Sequence, residues 1–193
     1  MRQLIYITIT LLLASAKGQR AIKSILTVPN GAHWGDWGEA EMCPTNYYAA
    51  GFSLKVEGPI GDGDDTALNG IRLFCINKGA SAPNPDFAVV KSDTGSWGTW
   101  TDPKWCKAGR LMSFQLFVEP PQGNGDDTAA NNIMFLCSGG DEVVGSGLAW
   151  GSWGGWSKCC TGTGICGIQT KVERPQGSGD DTALNDVRFL CCD

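Results

Sequence analysis

The chain has 193 residues, 15 basic and 20 acidic side chains for a net charge of −5, and nine cysteines. The acidic balance argues against nucleic acid as a partner, which asks for a basic patch. Nine cysteines read as the disulfide framework of an exported protein, and no apolar run approaches the ~20 residues of a membrane span.

Met1 to Gly18 reads as a secretory signal. Arg2 supplies the positive start, Leu4 to Leu13 the apolar stretch, and Ala14-Ser15-Ala16 a small-residue cleavage site. Cleavage is expected after Ala16, with Gly18 as second choice. It removes Arg2 and takes the net charge from −5 to −6. Residues 17–193 then form one domain.

A nonapeptide organises that domain. Gly61-Asp62-Gly63-Asp64-Asp65-Thr66-Ala67-Leu68-Asn69 returns from Gly123 to Asn131 and from Gly177 to Asn185. The first Asp of each pair falls at 64, 126 and 180, steps of 62 and 54 residues. One supersecondary unit is used three times, over about 25–78, 87–138 and 143–192. Each unit also carries Trp-Gly-x-Trp, beginning at Trp34, Trp97 and Trp150, and an alternating run closed by Val-Glu-x-Pro, with its glutamate at Glu57, Glu119 or Glu173.

Phe52, Leu54 and Val56 alternate with Ser53, Lys55 and Glu57, the pattern of a half-buried antiparallel strand. The run Ile71–Cys75 favours a second strand, and the Gly/Asp stretch between them is a turn. Further strands precede the Trp motif at Ile25–Val28, Phe87–Val90 and Val143–Val144, and the motif itself makes another. About four strands per unit give three sheets, each too small to stand alone. They can share one core as the faces of a three-sided prism. The Phe/Leu/Val set and the tryptophans would face inward. Spacing alone leaves a trefoil open.

The cysteines follow the repeat. Cys75, Cys137 and Cys191 lie ten residues after the second Asp of each pair, and Cys43, Cys106 and Cys159 lie nine after a Trp. Pairing within each unit joins Cys43 to Cys75 and Cys106 to Cys137. It also joins Cys159 or Cys160 to Cys191 or Cys192, with Cys166 taking the remaining member of the last pair. One thiol of the Cys159-Cys160 doublet is left over, free or as an intermolecular link; repeat spacing favours Cys159 as the bridging member. A zinc site is disfavoured by compartment and by the single histidine, His33.

Several residues carry candidate chemistry. The Asp pairs have the outline of a calcium loop, but one copy per long unit fits turn geometry better, so no metal site is expected. Glu57, Glu119 and Glu173 are weak catalytic candidates, because glycosyl chemistry needs two carboxyls ~5–10 Å apart. Arg72 and Arg188 could pair with two of these glutamates, whereas the second unit has Met134 at that position. Glu119 is therefore expected to be the least committed. Six of eight tryptophans belong to the repeated motif and are expected in core or sheet-corner packing. Trp105 and Trp156 do not repeat and are the candidate ligand-binding indoles.

Trp-Gly-x-Trp, Val-Glu-x-Pro and Gly-x-Gly-Asp-Asp-Thr-Ala-x-Asn, three times over and ending in Cys, resemble the vitelline membrane outer layer protein 1 family from about Ile25 to Cys192. The resemblance implies an all-β fold, a β-prism of three Greek-key four-stranded sheets with a pseudo-threefold internal repeat. It implies secretion and a place in the outer layer of an egg's vitelline coat or in other extracellular fluids. It also implies association with lysozyme-containing assemblies and a transferase-like action on chito-oligosaccharides. For the third unit it favours Cys160–Cys191 with Cys166–Cys192, leaving Cys159 unpaired. The expected function is a secreted structural or binding protein of an extracellular coat, contacting coat proteins, lysozyme-like basic proteins or oligosaccharides and needing no cofactor. A transferase or hydrolase acting on N-acetylchito-oligosaccharides and a multivalent lectin are the alternatives.

Overall fold

The structure is a computed structural model, and it describes residues 20–58, 68–119, 130–174 and 184–193. The signal segment and the three Gly-x-Gly-Asp-Asp-Thr stretches lie outside the described residues. Among the described residues the regular structure is all β, in fourteen strands. No helix there is long and apolar enough to cross a membrane.

Three long hairpins form the frame. They are β4 (Tyr47–Val56) with β5 (Leu68–Asn77), β9 (Leu111–Val118) with β10 (Ala130–Cys137), and β13 (Gly164–Val172) with β14 (Leu184–Cys192). Shorter strands flank them. The first sheet adds β6 (Ala88–Lys91), β7 (Thr99–Trp100) and β8 (Lys104–Trp105), in the order β6-β5-β4-β7 with β8 also on β4. The second adds β11 (Glu142–Val144) and β12 (Ser152–Trp153), in the order β11-β10-β9-β12. The third adds β1 (Ser24–Leu26), β2 (Asp36–Trp37) and β3 (Glu41–Met42), in the order β1-β14-β13-β2 with β3 also on β13.

In the first two sheets the strand that comes fourth in the chain lies beside the one that comes first, which is the Greek-key order. The sequence repeat and the sheet are therefore out of phase: each hairpin is completed by short strands of the following unit. The third hairpin has no following unit and takes β1, β2 and β3 from the start of the domain. Ser24, Ile25 and Leu26 pair with Cys191, Leu190 and Phe189, and the Lys23 ammonium meets Asp193 at 2.6 Å.

The core is stacked in levels along the axis. Phe52 opposes Leu73, Phe114 opposes Phe135, and Ile168 opposes Phe189; all six are fully buried. Phe135 lies 4.8 Å from Phe52, 5.1 Å from Phe189 and 6.3 Å from Phe114, ring centre to ring centre. The next level holds Leu54/Ile71, Leu116/Ile133 and Thr170/Val187, where the Thr170 hydroxyl is satisfied by donating to the Asp93 carbonyl. Each buried side chain of this kind contributes about 1.5–3 kcal/mol of transfer free energy, set against the entropy of ordering the chain.

The tryptophans are not in this core, contrary to the sequence-based expectation. Side chains from the six hairpin strands already fill the axis, and Trp-Gly-x-Trp falls on the short outer strands. The period-two reading of β4 also needs amendment. Ser53 is buried on the outer face, where its hydroxyl accepts a 2.8 Å bond from Arg72 Nε.

Four disulfides are present: Cys43–Cys75, Cys106–Cys137, Cys160–Cys191 and Cys166–Cys192. Cys43 extends β3 along the third sheet, its N–H bonding the Cys166 carbonyl, while Cys75 is in β5 of the first. Cys106 bonds Ala50 of the first sheet, and Cys137 is in the second. Cys160 bonds Met112 of the second, and Cys191 is in the third. Bonds local in sequence thus join the three faces in a ring. Cys166–Cys192 stays inside one hairpin, and Cys159 is an exposed free thiol. Arg110, almost fully buried, adds a polar brace by donating to the carbonyls of Asn77, Lys78 and Ala80.

Candidate functional site

The Trp-Gly-x-Trp motif is dictated by a close backbone approach. Gly35, Gly98 and Gly151 have φ of 76°, 81° and 112°, a region that L side chains rarely adopt. A Cβ on them would stand 2.4, 2.4 and 2.3 Å from the backbone of Val172, Val56 and Val118 respectively. The segment therefore crosses directly over the end of the neighbouring hairpin strand, leaving the first indole outside it. Trp34, Trp97 and Trp150 are 62%, 54% and 39% exposed. Sequence reasoning missed these three. The signal that could have found them is the invariant glycine between two tryptophans, which marks a backbone crossing rather than a strand interior.

The second tryptophan of each motif lies on the outer face of its sheet. Arg188 sits 3.7 Å over Trp37 and Arg72 4.6 Å over Trp100. Lys171 and Lys55 are the register partners of the same two indoles. In the second sheet both cations are replaced. Phe117 is the partner of Trp153, 4.9 Å away ring to ring, and Met134 holds the arginine position. The arginines thus cover indoles.

Glu57, Glu119 and Glu173 each follow the valine crossed by a motif glycine, one at the end of each sheet, and none of the three is without a partner. Glu119 thus has a partner as Glu57 and Glu173 do, although the arginine position of its sheet is Met134. Trp105 is half-buried on the first sheet, stacked 5.4 Å from Phe74 and edge-on to Phe87 at 5.6 Å. It covers Gly51, where a Cβ would meet its ring at 2.6 Å. Trp156 is 39% exposed, beyond β12.

Two grooves open where sheets meet, at positions related by the repeat. One lies between the third and second sheets, about 360 Å³ in volume, with Asn30 to Trp34 on one wall and Val118, Glu119, Ser152 and Gly154 on the other. Asn30 fixes this wall by donating from Nδ2 to the Leu116 carbonyl at 3.0 Å. The amide fits because position 154 is glycine, where a Cβ would be 2.4 Å from the Asn30 Cγ. The other groove lies between the first and third sheets, about 750 Å³, and Asp36, Glu39, Glu41 and Asp93 face Lys91 and Arg174 there. Glu119 is the one of the three candidate glutamates that lines either groove.

Asp186 lies beneath Gly31 of the smaller groove, so close that a Cβ on Gly31 would meet its Cγ at 2.3 Å. Burial raises its carboxyl above the usual value, opposed by the Val187 N–H and the charges of Arg188, Lys171 and His33. The second unit has Asn132 at the same position, bonding Ile133 N–H in the same way at 2.9 Å.

The model of the family described as vitelline membrane outer layer protein I matches residues 24–193. The human vitelline membrane outer layer protein 1 homolog is 52% identical over 181 residues, covering 93% of this chain and 88% of its own. The mouse homolog is 54% identical over 171 residues, covering 88% and 83%. Among solved structures, Calystegia sepium agglutinin aligns with a TM-score of 0.52 at 12% identity, over 89% of this chain and 97% of its own. Single-chain recombinant jacalin aligns with 0.51 at 12% identity, over 92% and 97%. At that identity the two agglutinin-type structures speak for the shared β-prism fold alone.

Proposed function

The chain belongs to the vitelline membrane outer layer protein I family, and from that premise we propose that it is an exported structural and binding protein of an extracellular coat. Its contacts with glycans are made at the end of the prism where the first tryptophans of the repeated motif are exposed. The observation that carries this reading is the threefold exposure of Trp34, Trp97 and Trp150. Exposed aromatic rings of this kind are rigid stacking surfaces with little ordering entropy to lose. Four disulfides among the described residues suit an oxidising, extracellular setting. The acidic groove between the first and third sheets supports a basic coat protein as a further partner, steered by charge.

Catalysis is the less favoured reading. Glycoside chemistry needs a pair of carboxyls flanking one bond, and among the described residues the groove beside Trp34 is lined by a single glutamate, Glu119. The test is incubation with N-acetylchito-oligosaccharides, following binding and products together. Saturable binding with an unchanged chain-length distribution is expected. Redistribution of chain lengths that disappears in Glu119→Gln would replace this reading with a transferase.

A further inference from the structure

We propose that glycan contact is monovalent, and that a neutral pyranose ring stacks on Trp34 in the groove between the third and second sheets. This rests on the glycan-contact reading and adds which of the repeat-related places is used. The loops preceding the three motifs are built alike: Ala32, Gly95 and Leu148 each donate a backbone bond to the carbonyl of Asn185, Asn69 and Asn131 respectively. Their surroundings differ.

Beside Ser92–Ser96 the groove carries four carboxylates and two cations. A neutral ring bound there would strip water from charges and give nothing equal in return. At Gly145–Ala149 the loop lies flat on its neighbours. A Cβ on Gly145 would meet Leu54 Cδ1 at 2.6 Å, and one on Gly147 the Asn131 carbonyl at 2.1 Å. Trp150 is also the least exposed of the first tryptophans, at 39% against 62% for Trp34.

The remaining groove is walled by Gly31, Ala32 and Val118, with Trp34 at its mouth. Its volume of about 360 Å³ falls in the range of small-ligand sites. The match is one of charge as well as shape. Apart from Glu119 and His33 the lining is uncharged among the described residues, so the C–H face of the sugar meets the indole and its hydroxyls meet Glu119, Ser152 and His33 at the rim. A carboxylate accepts from hydroxyl donors, and an anionic ligand would be repelled by it.

Isothermal titration of the full mature chain with the neutral N-acetylglucosamine trimer tests this. One site per chain is expected. Trp34→Ala should weaken binding by about tenfold or more, as expected when an aromatic stacking contact is lost. Trp97→Ala and Trp150→Ala should stay within about twofold of the parent, well under one kcal/mol. Trp34→Phe should recover most of the loss, and near-ultraviolet circular dichroism establishes that each variant is folded. Three equivalent sites, or Trp34→Ala binding like the parent, would overturn the proposal. If Trp97→Ala or Trp150→Ala abolishes binding instead, the groove assignment fails while glycan contact stands. Absence of binding at millimolar sugar would overturn both.

Discussion

Replacing Phe135 by alanine tests whether the prism is held by one core shared among its faces. Phe135 is fully buried and has ring neighbours from all three sheets, Phe52 at 4.8 Å, Phe189 at 5.1 Å and Phe114 at 6.3 Å. Truncating a core phenylalanine costs about 3–5 kcal/mol, and the cost rises with the cavity that cannot collapse. Here collapse would require one sheet to move toward two others that disulfides hold in place, so about 4–5 kcal/mol is expected. Phe52→Ala removes a ring whose one aromatic neighbour among the described residues is Phe135, and about 3 kcal/mol is expected. For a chain of this size the larger loss lowers the melting midpoint by about 8–20 °C. Urea unfolding with the disulfides intact, at unchanged m-value, measures both variants. Phe135→Ala costing under about 2 kcal/mol, or no more than Phe52→Ala, would refute the shared-core reasoning.

Three further predictions follow from other residues. Burial raises the Asp186 carboxyl above its reference value of 3.8, so the folded state holds its proton to higher pH than the unfolded chain does. The charged carboxyl then costs stability above the folded value, and that cost fades as pH falls toward 3.8. Asp186→Asn, the residue already tolerated as Asn132, should stabilise the protein at pH 7 and lose this advantage near pH 3.5. Equal effects at both values would remove the linkage argument. Arg188→Ala should cost about 1 kcal/mol, with a change in Trp37 fluorescence, because the guanidinium lies 3.7 Å over that ring; no spectral change would show the contact to be incidental. Gly98→Ala should cost about 2 kcal/mol or more, because it demands a left-handed residue and a displaced β7 together. A chemical-denaturation loss below about 0.5 kcal/mol would show that the crossing can relax.

The hairpin strands were legible because their apolar residues alternate and because the Cys and Val-Glu-x-Pro landmarks keep fixed offsets. What was not legible is how the strands are shared. β2, β7 and β12 are two residues long, too short to show a period. Their pairing with a hairpin of another unit is a tertiary fact with no local signature. Hydropathy drew the motif tryptophans inward, whereas Phe52, Phe114, Phe135 and Phe189, with the aliphatic side chains of the other two hairpin strands, already fill the axis. The same limit hid the packing of Trp105, singled out as a candidate ligand-binding indole because it does not repeat and half-buried in the structure. It packs over Gly51, and Met42 stands at the corresponding place over Gly167, where a Cβ would meet its sulfur at 2.5 Å. The smaller groove was invisible because Asn30, His33 and Trp34 meet Glu119 and Gly154 only through ring closure.

That closure has a consequence in time. During synthesis β1, β2 and β3 emerge first and must wait for β13 and β14, the last elements made, before they have a sheet to join. Cys43 and Cys75 are 32 residues apart, so both are available long before that. Once oxidised, the pair keeps the waiting segment alongside the finished first hairpin rather than loose, where an unpaired strand edge invites the wrong neighbour. The longest-range strand register among the described residues, Ser24 with Cys191, is thus prepared by a short-range bond. An early block to that oxidation should surface late, as chains whose first strands never find their place.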